Sequence, residues 1–149
     1  MAYKICILAI LLAAANAFWN TGHMMIAKIA QDQLLQRNST LFQKVIEEIR
    51  GLADLSYDEK YSFIEASIWP DTIKDSGLRL FDHIHVTRTP YIMSDYEGEP
   101  IYDPRNITWT IGELKRTLLS SDGDNLNSLF GRSFSWRFLI HIVGDIHQP

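Results

Sequence analysis

The stretch His141-Ile-Val-Gly-Asp-Ile-His-Gln-Pro149 sets two strong metal-ligand types, His141 and Asp145, four positions apart. On a helix, residues four apart share a face, so an imidazole nitrogen and a carboxylate would point the same way. That pairing of nitrogen and oxygen donors suits zinc. The same spacing also arises as a surface ion pair or a simple hydrogen bond, so alone it is a weak signal. Other candidates lie upstream. His23, His83 and His85 sit in compact apolar or aromatic settings, Asp71 follows Trp69-Pro70, and His147 is the fifth histidine. Taken singly, a histidine is more often a packed, hydrogen-bonded residue than a ligand.

The remaining sequence bounds where such chemistry could operate. Residues 1 to 17 read as a secretory signal peptide: Lys4 is the positive start, Ile5 to Ala14 the apolar run, and Ala15-Asn16-Ala17 the small-residue cleavage site. The run is too short to span a bilayer comfortably, so no membrane anchor is expected. The mature chain should begin at Phe18, and the expected destination is the extracellular space or a digestive vacuole. The only cysteine, Cys6, falls in the leader, which leaves the mature chain without a disulfide. About 130 residues remain, enough for one core domain. The formal net charge of −4 argues against broad electrostatic capture of nucleic-acid phosphates. Phosphate chemistry here would need metal ions to bring positive charge. Asn38-Ser39-Thr40 and Asn106-Ile107-Thr108 are glycosylation sequons.

The elements that must position these residues read as all-α. Near-helical apolar spacing runs from His23 to Leu35 through Met24, Ile26, Ala27, Ala30 and Leu34. A second helix spans Thr40 to Ile49, with Gly51 as its stop. Capping boxes at Ser56-Tyr-Asp-Glu59 and Thr110-Ile-Gly-Glu113 open two more, toward Ile68 and Leu119, and Pro70 ends the first of these or begins a turn. The Ser120–Asp124 loop precedes a final helix holding Trp136, Phe138, Leu139, Ile140 and Val143. Between them, from about residue 72 to 105, neither helical nor alternating periodicity persists, so a long irregular loop is expected. It is too aromatic for a disordered linker. No repeat or second domain is evident.

Four stretches, taken in order and spacing, resemble one family. Phe18-Trp-Asn-Thr-Gly-His23, Ser67-Ile-Trp-Pro-Asp71, Ile84-His-Val-Thr-Arg-Thr-Pro90 and His141 to Pro149 are similar to the zinc-dependent, single-strand-specific nucleases of fungi and plants, the nuclease S-one/P-one family. This family belongs to the phospholipase C/P-one nuclease superfamily. The resemblance implies that Asp71, His85, His141 and Asp145 hold one zinc, with Asp145 bridging and positioning the nucleophilic water. The α-amino nitrogen and carbonyl of Phe18, with His23 and the second Asp145 oxygen, would hold a close partner zinc. The family residue at the Phe18 position is normally Trp, and a cut one residue later would put Trp19 first. His85 is preferred to His83 because Pro90, five residues on, matches the family spacing; His83 is then expected to pack nearby. His147 falls where members vary. Some members carry an Asp where this chain has Arg88.

The family's third zinc uses a His just after Gln-Pro and a later His and Asp. The sequence stops at Pro149. It is therefore expected to be the N-terminal part, residues 18–149, of a nuclease domain about twice as long, with at most two zinc sites formable, and to be inactive alone. The implied reaction is hydrolysis of single-stranded RNA or DNA to 5′-phosphates, with 3′-nucleotidase activity. Tyr91, Trp109 and Trp136 are candidate stacking residues for a base, although each also suits a core. No stable protein partner is expected. Two alternatives stand beside this reading: a zinc phospholipase C-like hydrolase, and a truncated, non-catalytic secreted protein.

Overall fold

The computed structural model describes residues 19–52, 62–86, 98, 104–120 and 126–147. Six α-helices are described: α1 (Asn20–Arg37), α2 (Ser39–Arg50), α3 (Phe63–Ala66), α4 (Trp69–Asp75), α5 (Ile107–Leu119) and α6 (Leu126–Asp145). A 3-10 segment covers Arg79–His85, and no strand occurs among the described residues. The fold class is all-α, as expected. None of the described helices is long and apolar enough to cross a membrane.

Packing is arranged about α6, which contacts all five of the other helices. A helix touched on every side carries apolar residues all round rather than on one stripe. Accordingly Ile140 joins Ala27, Phe42, Val45, Ile49, Phe63 and Ala66 in one buried cluster. Phe138 and Ile142 join Leu52, Trp69, Ile84, Ile107 and Leu114 in another. Phe134 and Phe138 stack at 4.5 Å between ring centroids, and Trp69 meets Phe138 edge-on at 6.0 Å. These aromatic contacts hold the start of α4 against α6.

Several local expectations need correction. The irregular stretch starts later than residue 72, because α4 continues to Asp75 and the 3-10 segment follows. Pro70 begins a helix here rather than ending one: it lies in the first turn of α4, where a missing N–H leaves nothing unpaired. Both pieces are too short for a 3.6-residue rhythm to show. The helix assigned to the Thr110 box begins one turn earlier. Asn106 is its cap, and Thr110 is buried inside α5 with its hydroxyl donating to the Asn106 carbonyl at 3.0 Å. Gly51 does close α2, but with a right-handed φ of −55°. Its smallness serves packing, since a Cβ there would lie 2.6 Å from Leu129 Cγ. The Ser56 box and residues 121–125 lie outside the described residues, and α3 is capped by the Ser62 hydroxyl accepting the Glu65 N–H.

The end of α2 is tied to α6 through Ser133. Its buried hydroxyl donates to the Ile49 carbonyl at 2.6 Å and accepts the Leu52 N–H at 3.0 Å. Groups at a helix C-terminus lack helical partners, so this side chain satisfies two at once. Ser133→Ala is expected to lower the unfolding free energy by about 1–3 kcal/mol. The measurement is a urea midpoint that falls with no change of slope.

Candidate metal centre

Four separate elements deliver side chains to one point. His141 and Asp145 occupy the last turns of α6, and their facing atoms Nε2 and Oδ2 are 3.2 Å apart. His85, closing the 3-10 segment, brings Nδ1 to 3.0 Å from that same Asp145 oxygen and to 3.0 Å from His141 Nε2. Asp71, in the first turn of α4, places Oδ1 3.8 Å from His141 Nε2. His23, in the first turn of α1, reaches from the other side. Its Nε2 is 3.4 Å from Asp145 Oδ1 and 4.0 Å from Asp71 Oδ2. Asp145 therefore turns one oxygen toward His23 and the other toward His85 and His141. Two overlapping donor sets result, His23/Asp71/His141 and His85/His141/Asp145, and within each the donor atoms lie within 4.8 Å of one another.

The surroundings aim these donors. A backbone carbonyl can only accept, so the 2.6 Å contact of His141 Nδ1 with the Ser67 carbonyl makes Nδ1 the protonated nitrogen. Nε2 faces the cluster, donating to Asp145 when it is protonated and offering a lone pair to a metal when it is not. The His23 ring stacks on His141 with centroids 4.0 Å apart and planes 14° apart. Gly144 makes this stacking possible: a Cβ there would sit 2.3 Å from His23 Nδ1. Lys74, one turn along α4, donates to Asp71 Oδ1 at 2.5 Å and fixes that carboxylate from the outside.

Burial and charge prepare the site for a cation. Desolvation, reinforced by repulsion from His141, lowers the His23 pKa to about 4, against the pull of Asp145 and Asp71. Burial alone would raise Asp145, but hydrogen bonds and charge attraction from His141 and His85 win and bring its carboxyl down to about 2. Near neutral pH the centre thus offers a neutral His23 imidazole and an ionised Asp145. That is the protonation pattern a divalent metal requires of its ligands. Three imidazoles and two carboxylates at this spacing fit zinc, which takes N and O donors.

Among the expected ligands, Phe18 lies outside the described residues, as do Arg88, Pro90 and Tyr91. The other five converge. His83, expected to pack near the site, is instead exposed, while its neighbour-but-one His85 is buried. His147 is also exposed, its Nδ1–H donating to the Val143 carbonyl at 2.6 Å. Trp136 is half-buried with its indole N–H on Glu48, and Trp109 is exposed in the first turn of α5. Three participants went unassigned from sequence: the Ser67 carbonyl, Lys74 and Gly144. Lys74 was legible as the residue three after Asp71 on a helix, and Gly144 as a costly glycine inside one. A backbone carbonyl leaves no signal of residue type.

The family model for the S1/P1 nucleases matches residues 18–149. The chain belongs to the S1/P1 nuclease family. No curated protein and no solved structure matches it. Membership carries a nuclease-type hydrolytic function acting on nucleic acid, in a family that is zinc-dependent in general. The residues that converge in this S1/P1 chain are those its sequence motifs contain.

Two outcomes are expected. Gly144→Ala should push the His23 ring out of its stack and weaken zinc binding by about 10–100-fold, measurable by calorimetric titration. Zinc-free protein should lose stability on acidification. Between pH 6.5 and 4 the unfolded chain takes up a proton at His23 that the folded state refuses, a loss of roughly 3 kcal/mol. Asp145, whose folded pKa is also depressed, adds its own loss as pH falls from about 4 toward 2. Denaturant unfolding at pH 7, 5.5 and 4 reads the His23 part; a flat profile would contradict it.

Proposed function

We propose that this S1/P1 nuclease is a secreted, zinc-dependent endonuclease that cleaves single-stranded RNA or DNA to 5′-phosphates and removes 3′-phosphates from nucleotides. The observation carrying this reading is the division of the Asp145 carboxylate, with His85 and His141 on one oxygen and His23 on the other. Such a carboxylate suits two cations sharing one bridge. Asp71, His85, His141 and one oxygen of Asp145 would hold the first zinc. His23, the other oxygen, and the α-amine and carbonyl of Phe18 would hold the second. When bound, zinc supplies the Lewis acidity that makes water a nucleophile near neutral pH and offsets charge building on the phosphate.

The chain's own groups hold that arrangement. The Ser67 carbonyl fixes the tautomer and tilt of His141. Lys74 keeps Asp71 aligned and adds positive charge beside a site that must receive an anion. Its ammonium is held charged: burial alone would lower its pKa, but the hydrogen bond and attraction from Asp71, with Asp75 and Asp82, raise it. The phenyl of Phe138, edge-on to His85 at 6.0 Å between centroids, shields that ligand from water.

Assays of the expressed gene product on single-stranded RNA and on phosphatidylcholine, with zinc counted in parallel, test the reading. Cleavage of RNA alone is expected, and lipid hydrolysis instead would favour the phospholipase C-like alternative. Asp145→Asn should reduce RNA cleavage by more than about 100-fold, beyond the range of an orienting group, and lower zinc content with it. The Phe18 amine makes a separate prediction. A free α-amine titrates near pH 8 and binds metal when deprotonated, whereas a peptide nitrogen does not. Protein retaining residues 1–17 should bind less zinc and cleave more slowly than protein starting at Phe18. Equal activity of the two forms would remove Phe18 from the ligand set.

A further inference from the structure

We propose that a groove between α2, α5 and α6 binds a long-chain fatty acid, its single alkyl chain lying in the groove and its carboxylate on two lysines. The groove has a volume of about 530 Å³. Pockets that bury a small ligand run from roughly 300 to 1,000 Å³. Val45, Ile111, Leu118 and Leu139 line it with hydrocarbon, and the exposed Lys44 and Lys115 complete its wall. It lies away from the metal centre. Arg132, Trp136 and Leu139 line the groove at steps of four and three along α6, so they share one face. His141 stands two residues past Leu139, about 200° further round the helix.

The groove is held in shape by the protein itself. On α2, Glu48 accepts the Arg132 guanidinium at 2.6 Å with one oxygen and the Trp136 indole N–H with the other. Arg132 also donates to the Leu118 carbonyl at 2.8 Å near the end of α5. These bonds pin three helices together, which lowers the ordering cost of binding. They also leave the Trp136 ring presenting an apolar body with its polar end already satisfied.

Those bonds also select the ligand. Glu48, Arg132 and Trp136 engage one another, so a polar atom carried into the groove would lose water without gaining a partner, which is costly. A nucleotide or a peptide brings many such atoms, whereas an alkyl chain brings none. Charge adds a second selection. The one carboxylate in the wall, that of Glu48, is paired with Arg132, while neither Lys44 nor Lys115 forms an ion pair among the described residues. In a chain of net charge −4 the groove is thus locally positive and complementary to one anionic head. Leu41 and Leu119, 44% and 72% exposed, add apolar surface that the chain would cover.

The test is calorimetric titration of the expressed gene product with tetradecanoate, kept below the concentration at which it forms micelles. One site is expected, with a dissociation constant on the order of 100 µM or tighter. Dodecanoate and decanoate should each bind about 10-fold more weakly than the acid two methylenes longer. Lys44→Glu combined with Lys115→Glu should weaken tetradecanoate by about 10-fold. Both lysines are exposed, so the urea midpoint and RNA cleavage should not change. Leu119→Asp should weaken binding from the apolar side. Tetradecanol or tetradecyltrimethylammonium binding as tightly as the acid would overturn the proposal, as would displacement of the acid by an acidic amphipathic peptide. A carboxylate captured by the metal centre would be lost in Asp145→Asn and retained in the double lysine variant, and that result also overturns it. Binding with these dependences in a protein that spares RNA would leave the proposal standing and sink the nuclease reading alone.

Discussion

A carboxylate held among three imidazoles is the constraint to which the rest of this structure answers. Asp145 is largely buried, and its ionised form persists only because His85 and His141 lie within 3.2 Å of one of its oxygens. An anion in such a place is costly unless its lone pairs are met and its charge is matched. The three rings must therefore arrive together. His141 is already on α6, while His23, His85 and Asp71 each require their own backbone to approach it at a set height, which explains why three segments converge on the last turns of one helix.

That helix explains the fold's economy. α6 carries the two donors that the other elements meet, and its neighbouring residues Phe134, Phe138 and Ile142 bury the strands of contact that fix α4 and the 3-10 segment. Asp71 and His85 thus stand on short pieces that have little stability of their own and take their positions from Trp69, Phe81 and Ile84 packed against α6. Arg137 belongs to the same arrangement. Fully buried, it lies with its guanidinium 5.3 Å from the Trp69 ring centroid and reaches the Ile49 carbonyl at 3.3 Å, joining the end of α2 to the start of α4.

What could be read in advance follows this division between local and distant effects. His141 and Asp145 were legible because a helix converts a spacing of four into a shared face. The buried stripe Phe42, Val45 and Ile49 was legible for the same reason. Choosing His85 over His83 needed the family spacing to Pro90, since both residues lie on one apolar-aromatic stretch. In the structure the 3-10 turn buries His85 and exposes His83. The seven-residue α4 escaped notice because it contains too few residues for periodicity, whereas Phe63–Ala66 falls within the helix expected to run toward Ile68. The start of α5 was misplaced because two capping signals competed, and the asparagine that accepts two N–H groups prevailed over the threonine box. The tautomer of His141 depended on a carbonyl 74 residues away and could not be inferred from composition at all.

The site also bears on chain entropy. Its donors run from His23 to Asp145, so a cation held by them would close several long loops at once. With a single cysteine, Cys6, this sequence offers no internal disulfide for that purpose. The metal would then act as the covalent cross-link does in disulfide-bonded proteins, removing freedom from the unfolded chain. Unlike a disulfide, such a clasp would be reversible and would take its strength from the free concentration of the metal. The persistence of the folded molecule would thereby be set by the metal content of its surroundings.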